Sequence, residues 1–95
     1  MDDLLHLLHS DGADGLRLRV GQPPVIVLDG EENLIEGPPL TTEDTEYLLR
    51  SITDTRQQRI FRERYIVEFL YKFRGRINFV VRAKIEGEGV CMDIH

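Results

Sequence analysis

Apolar positions change period several times along the chain, and each change marks an element. Leu4, Leu5, Leu7 and Leu8 recur at helical spacing behind Asp2 and Asp3. Acids suit the positive end of a helix, so a short helix is predicted here. Ser10-Asp11-Gly12 ends it, because glycine accepts the left-handed cap geometry. Leu16, Leu18 and Val20 then alternate with Arg17 and Arg19, the period of a half-buried strand. Gly21-Gln22-Pro23-Pro24 breaks the ladder, since prolines bring no backbone donor. Val25 to Leu28 is a continuous aliphatic run and reads as a strand buried on both faces. Asp29-Gly30 is a tight-turn pair, with Asn33 to Glu36 as the short return strand.

Gly37-Pro38-Pro39 is a rigid connector ahead of Leu40. Thr41-Thr42-Glu43-Asp44 offers hydroxyl caps and first-turn acids, so a helix is predicted to start there, with Tyr47, Leu48 and Ile52 facing inward. Asp54 or Thr55 caps a second helix, TRQQRIFRERY, anchored by Ile60, Phe61 and Tyr65. Tyr65, Val67, Phe69, Tyr71 and Phe73 then share one parity. So do Ile77, Phe79, Val81, Ala83 and Ile85 after Arg74-Gly75. Two long period-2 runs around a short turn predict a hairpin. Glu86-Gly87-Glu88-Gly89 is a second turn, and Val90 to Ile94 the last strand. The order predicts the α+β class: a mostly antiparallel sheet with helices packed on one face.

Composition narrows the class. Ninety-five residues are expected to form a single domain spanning 1–95, burying roughly 60–70% of the unfolded surface. With 41% hydrophobic and 31% charged residues the chain reads as globular rather than disordered. Its lone cysteine, Cys91, allows no internal disulfide and fits a reducing compartment. No apolar run approaches the roughly 18 residues of a membrane span, and the acidic N-terminus has the wrong polarity for a signal peptide. A cytoplasmic location without membrane insertion is expected. Residues 1–48 hold eleven acids against Arg17 and Arg19, a balance of −9, while residues 49–95 hold ten bases against six acids, a balance of +4. Such polarity can steer a charged partner.

Candidate chemistry is sparse. No glycine-rich phosphate loop with a lysine is present, and Glu86 and Glu88 beside Gly87 and Gly89 would repel phosphate. His6 and His9 share a helix face but read as surface residues, so no metal is expected. Ser10, Ser51 and Cys91 lack any surrounding nucleophile motif, and Cys91 reads as an inert buried thiol. Arg56, Arg59, Arg62 and Arg64 repeat near helical spacing, and Arg76, Arg82 and Lys84 share a hairpin parity. Solvated charge explains them better than nucleic-acid binding, because the aromatics fall on the apolar parity and the chain is acidic overall. Neither catalysis nor a cofactor is expected.

The ordered motifs resemble the N-terminal domain of PilT-type pilus-retraction and type II secretion ATPases. Gly12-Ala13-Asp14-Gly15-Leu16-Arg17-Leu18 stands where that family shows a segment like "GASDLHL". Gly21, Pro23 and Pro24 match its G-x-P-P, Asp29 and Gly30 its DG turn, and Pro38, Pro39 and Leu40 its PPL. Glu68 and Phe69 stand at its acid-Phe pair, and Arg76 begins its arginine-rich late strand. The resemblance implies a PAS-like domain and a place in type IV pilus function, such as twitching motility. In the family this domain precedes a RecA-like motor, and arginines of its late strands help clamp nucleotide. Here three of those arginine positions carry Asn78, Glu86 and Asp93, the family's late-strand asparagine position carries Val80, and the Ser-Asp and His positions carry Asp14, Gly15 and Arg17. The resemblance implies a non-catalytic protein-interaction or regulatory module. The expected partner is a protein, either a pilus or secretion ATPase or a second copy, met by Arg17, Arg19, Arg76, Arg82 and Lys84. Two alternatives stand: the N-terminal fragment of a full-length ATPase, and a PAS-like small-molecule sensor. The sensor would need a cavity of roughly 300–1,000 Å³, which the crowded Phe69, Tyr71, Phe73 and Phe79 argue against.

Overall fold

The computed structural model describes residues 1–87 and 89–95. Helix α1 (Asp2–Ser10) buries Leu5 and Leu8. Strands β1 (Gly15–Leu18), β2 (Val25–Leu28) and β3 (Glu31–Leu34) follow. Helices α2 (Thr42–Ser51) and α3 (Thr55–Arg64) lead to β4 (Ile66–Phe73), β5 (Ile77–Glu86) and β6 (Gly89–Ile94). All pairings among the six strands are antiparallel, in the order β3-β2-β1-β6-β5-β4. The expected α+β architecture is therefore present. The sheet consists of two meanders, β1–β3 and β4–β6, joined where β1 lies beside β6.

Helix starts follow the local chemistry. Thr41 Oγ1 accepts from the Asp44 N–H at 3.1 Å, and Asp44 Oδ2 accepts from the Thr41 N–H at 2.9 Å. Asp54 and Gln57 make the same reciprocal box on α3, at 2.8 and 2.9 Å. Each box satisfies two backbone donors that a helix start leaves open. Asp29 and Gly30, with φ of 50° and 81°, form the left-handed turn that suits a two-residue hairpin.

One sheet face meets the helices. Leu16 and Leu18 of β1, Val67 and Phe73 of β4, Phe79, Val81 and Ala83 of β5, and Val90, Met92 and Ile94 of β6 pack there with Leu5, Leu8, Leu49 and Ile52. Helix α2 lies on β6, α3 on β4 and α1 on β1. Phe73 and Phe79 stack with centroids 6.0 Å apart, while Phe69 and Tyr71 are half-buried against the same cluster. No helix among the described residues is long and apolar enough to cross a membrane.

Several local expectations are corrected. Tyr47 is 67% exposed, and α2 turns Thr45 and Leu49 inward instead. The Thr45 hydroxyl is satisfied by donating to the Thr42 carbonyl at 3.2 Å, so its burial costs little. Tyr65 is 65% exposed because it ends α3 in the left-handed conformation, φ 61°. Ile85 is also exposed. The return strand begins directly after the turn, at Glu31 rather than Asn33. Val20 lies past β1 and bridges Leu40 in parallel. In β2 only Val25 and Ile26 are buried, with Val27 and Leu28 half-exposed. The predicted turn at 86–89 includes Glu88, which lies outside the described residues.

Candidate protein-interaction face

Strand pleating sends alternate side chains to opposite faces, so the residues between the core positions define a second face. The register aligns one row across that face: Glu68, Arg82, Asp93, Arg17, Val25 and Leu34. A neighbouring row carries Ile66, Lys84 and Cys91. The helices pack on the opposite side. Leu34, Leu70 and Ile66 are the exposed apolar residues of this open face, at its two edges.

Charges on the face are interleaved. The Arg17 guanidinium pairs with Glu32 through Nη1 and lies 3.6 Å from Asp93 Oδ1 through Nε. Lys84 Nζ sits 3.0 Å from Glu86, whose carboxyl it holds below the usual carboxylate range by hydrogen bond and charge. Arg82 stands between Glu68 and Asp93 in register but makes no ion pair among the described residues. Arg19 lies just past β1, where its charge is felt at Glu86 and Cys91. Four of the five predicted contact residues thus gather at this face: Arg17, Arg19, Arg82 and Lys84. Arg76 does not join them. It lies in the β4–β5 turn, its N–H donating to the Phe73 carbonyl at 3.2 Å. Lys84 is eight residues further along, roughly 27 Å away at strand rise. The exposed arginines of α3 lie on the helix layer, so the two basic sets are on opposite sides of the sheet.

The face also has a hollow. Gly15 shares the parity of Arg17 and offers no side chain. A cavity of about 240 Å³ opens there, lined by Asp14, Arg17, Val27, Asp93 and His95 among others. A Cβ on Gly15 would stand 3.2 Å from the Ile94 carbonyl oxygen, so glycine permits the close seating of β6 on β1. Asp14 Oδ2 accepts from the Gly30 N–H at 3.1 Å, tying the first hairpin turn to the same rim. Glu32 and the hollow itself were not legible as site features, and Asp93 stood out only as a departure from the resembled pattern. The pairing of β1 with β6 that assembles them spans most of the chain. The positions Asn78, Val80 and Asp93 that depart from the resembled ATPase pattern alternate with core residues of β5 and β6, and so lie on this open face too.

A second groove, about 270 Å³, lies on the helix side between Leu49, Arg50, Phe61, Arg62 and Val90, among others. Among the described residues no cluster of three or more His, Cys, Asp or Glu is placed to hold a metal. Cys91 is buried, though on the open-face parity, and burial pushes its thiol pKa up. A raised pKa leaves less thiolate at pH 8. Labelling by a thiol reagent at that pH is expected to run at least about tenfold slower than in the denaturant-unfolded chain. Equal rates would contradict its burial.

No protein-family model matches the chain. It is 31% identical over 87 residues to the type IV pilus retraction ATPase PilT of Pseudomonas aeruginosa, covering 92% of this chain and 25% of that protein. The crystal structure of the pilus retraction motor PilT with bound ADP superposes with a TM-score of 0.90 at 24% identity, covering 100% of this chain and 28% of that one. The ATPase DotB of Legionella pneumophila gives a TM-score of 0.83 at 21% identity, covering 100% and 27%. The chain thus spans about a quarter of the length of the relatives it matches. The match falls in their N-terminal region and not in the motor domain. By sequence and by fold, these ninety-five residues match the N-terminal region of the PilT-type ATPases.

Proposed function

We propose that this chain is a non-catalytic, regulatory interaction module that docks through its open sheet face onto a pilus or secretion ATPase. The observation that carries this reading is the charge pattern of that face. On the resembled scaffold, late-strand positions would carry cations that grip a triphosphate. Here Asp93 is engaged by Arg17, and Glu86 by Lys84. A carboxylate near a triphosphate is repelled by roughly 1–4 kcal/mol at about 4 Å, depending on effective dielectric. An alternating mosaic with apolar edges suits a protein surface better, because opposed charges set register and exclude wrong partners. The small-molecule reading draws little support from the helix-side groove. At about 270 Å³ it falls just short of ordinary ligand cavities.

The test is binding to a PilT-type ATPase from the same cell. Co-elution in size exclusion is expected at about tens of micromolar. The double variant Arg82→Glu, Lys84→Glu should weaken it by about tenfold or more, since like charges would then face the partner. ATP turnover by the chain alone, or unchanged binding by that variant, would count against the proposal. One observation favours a second reading: the chain corresponds to only a quarter of its relatives. On that reading it is the front part of a longer ATPase and the same face meets a motor domain of the assembly. The length of the open reading frame separates the two.

A further inference from the structure

We infer that two copies of this chain associate by antiparallel pairing of their β4 edges, with a twofold axis through Leu70. Strand β4 is an outer strand of the sheet and is eight residues long. The Ile85 N–H donates to the Tyr65 carbonyl at 3.0 Å. That bond sets the odd-numbered residues of β4 with their backbone groups toward β5. The N–H and C=O of Ile66, Glu68, Leu70 and Lys72 therefore point away from the sheet. Among the described residues no backbone hydrogen bond outside β4 itself reaches these four. Long edges of this kind are templates for another strand unless something blocks them.

The side chains of β4 are complementary to themselves. Glu68 and Lys72 lie two residues on either side of Leu70, on the open face. Both are exposed, and neither makes an ion pair among the described residues. Pairing centred on Leu70 sets each Glu68 opposite the Lys72 of the other copy. Opposite charges directly across an antiparallel pair are stabilising, and like charges are not. Leu70, at 70% the most exposed large apolar residue described, meets its own copy at the axis. On the helix side the same register sets the half-buried Phe69 opposite Tyr71, which completes the covering of two aromatics that the single chain leaves half-open. Moving the register by two residues in either direction loses the Glu68–Lys72 match. Within β4 this register alone sets Glu68 opposite a cation, because Arg74 lies past the strand in a left-handed turn, whereas a lone charged edge would simply repel strands. This association uses the β4 rim, where Glu68, Leu70 and Lys72 border the open face.

Sedimentation equilibrium of the chain from about 10 μM to about 1 mM is expected to show a monomer–dimer equilibrium. Glu68→Lys places lysines opposite lysines, and Lys72→Glu places glutamates opposite glutamates. Each should raise the dimer dissociation constant by about tenfold or more. Mixing the two variants should restore dimerisation, because each copy then supplies the charge the other needs. Circular dichroism confirms the fold of each, both positions being exposed. In the wild-type chain, amide exchange of Glu68, Leu70 and Lys72 should slow as concentration rises, while Val67 and Phe69 stay unchanged. A chain monomeric at about 1 mM overturns the inference. So do single variants that dimerise as well as wild type, or a mixture that stays monomeric.

Discussion

Replacing Leu18 with alanine is expected to remove about 2–5 kcal/mol of stability. Leu18 is fully buried at the end of β1, opposite Met92 of β6, in the middle of the sheet. Deleting its branched end loses transfer free energy and leaves a cavity that the surrounding core can only partly fill. A chain of this size has a net stability of about 5–15 kcal/mol at best, so the loss is a large share. The melting midpoint should fall by about 10 °C or more, at roughly 4–8 °C per kcal/mol. Tyr47→Ala serves as the control: its side chain is exposed on α2, and the change should stay within about 0.5 kcal/mol. Urea titration measures both. Similar values for the two variants would show that β1 is not the buried seam described above.

The second large effect is expected at Gly15. Its missing Cβ would lie 3.2 Å from a backbone oxygen, that of Ile94, which cannot rotate away as a side chain could. Gly15→Val adds a branch beyond that crowded atom. It should separate β1 from β6 and cost about 1–3 kcal/mol, as overpacking does elsewhere. The valine would also fill the hollow beside Arg17 and Asp93. The variant therefore reads out two things in one chain: a lowered urea midpoint, and weakened partner binding at temperatures where it remains folded. A midpoint equal to wild type would mean that the two strands have room to spare.

Much of this architecture could be read from residue patterns because local chemistry and tertiary burial agree. The parity of Val67, Phe69 and Phe73 and of Phe79, Val81 and Ala83 marks the core side of β4 and β5, and the structure buries or half-buries each of them. Thr41 and Asp54 announce their helices, and both make the expected cap bonds. Reading fails where one residue type can serve two roles. Tyr65 continues the aromatic parity of β4, yet its backbone ends α3 in a left-handed turn that places the ring in solvent. Thr45 reads as polar, but a bond to its own helix lets it replace Tyr47 in the core. In β3, Glu31, Glu32, Asn33 and Leu34 are all exposed, so no apolar alternation exists to set its start. The candidate face was half legible. Arg82 and Lys84 follow from hairpin parity, whereas the meeting of Arg17 with Asp93 depends on strands that no local signal pairs.

The seam between β1 and β6 also governs how the molecule must assemble. Each meander can form from neighbours in sequence, by zipping successive hairpins. Neither has a closed interior until Leu16 finds Ile94, contacts separated by nearly the whole chain. The entropy of closing so long a loop is spent before the core rewards it. Docking of the two halves is therefore expected to limit the folding rate, and stopped-flow refolding of Leu16→Ala should be slower than wild type if the seam forms at the barrier.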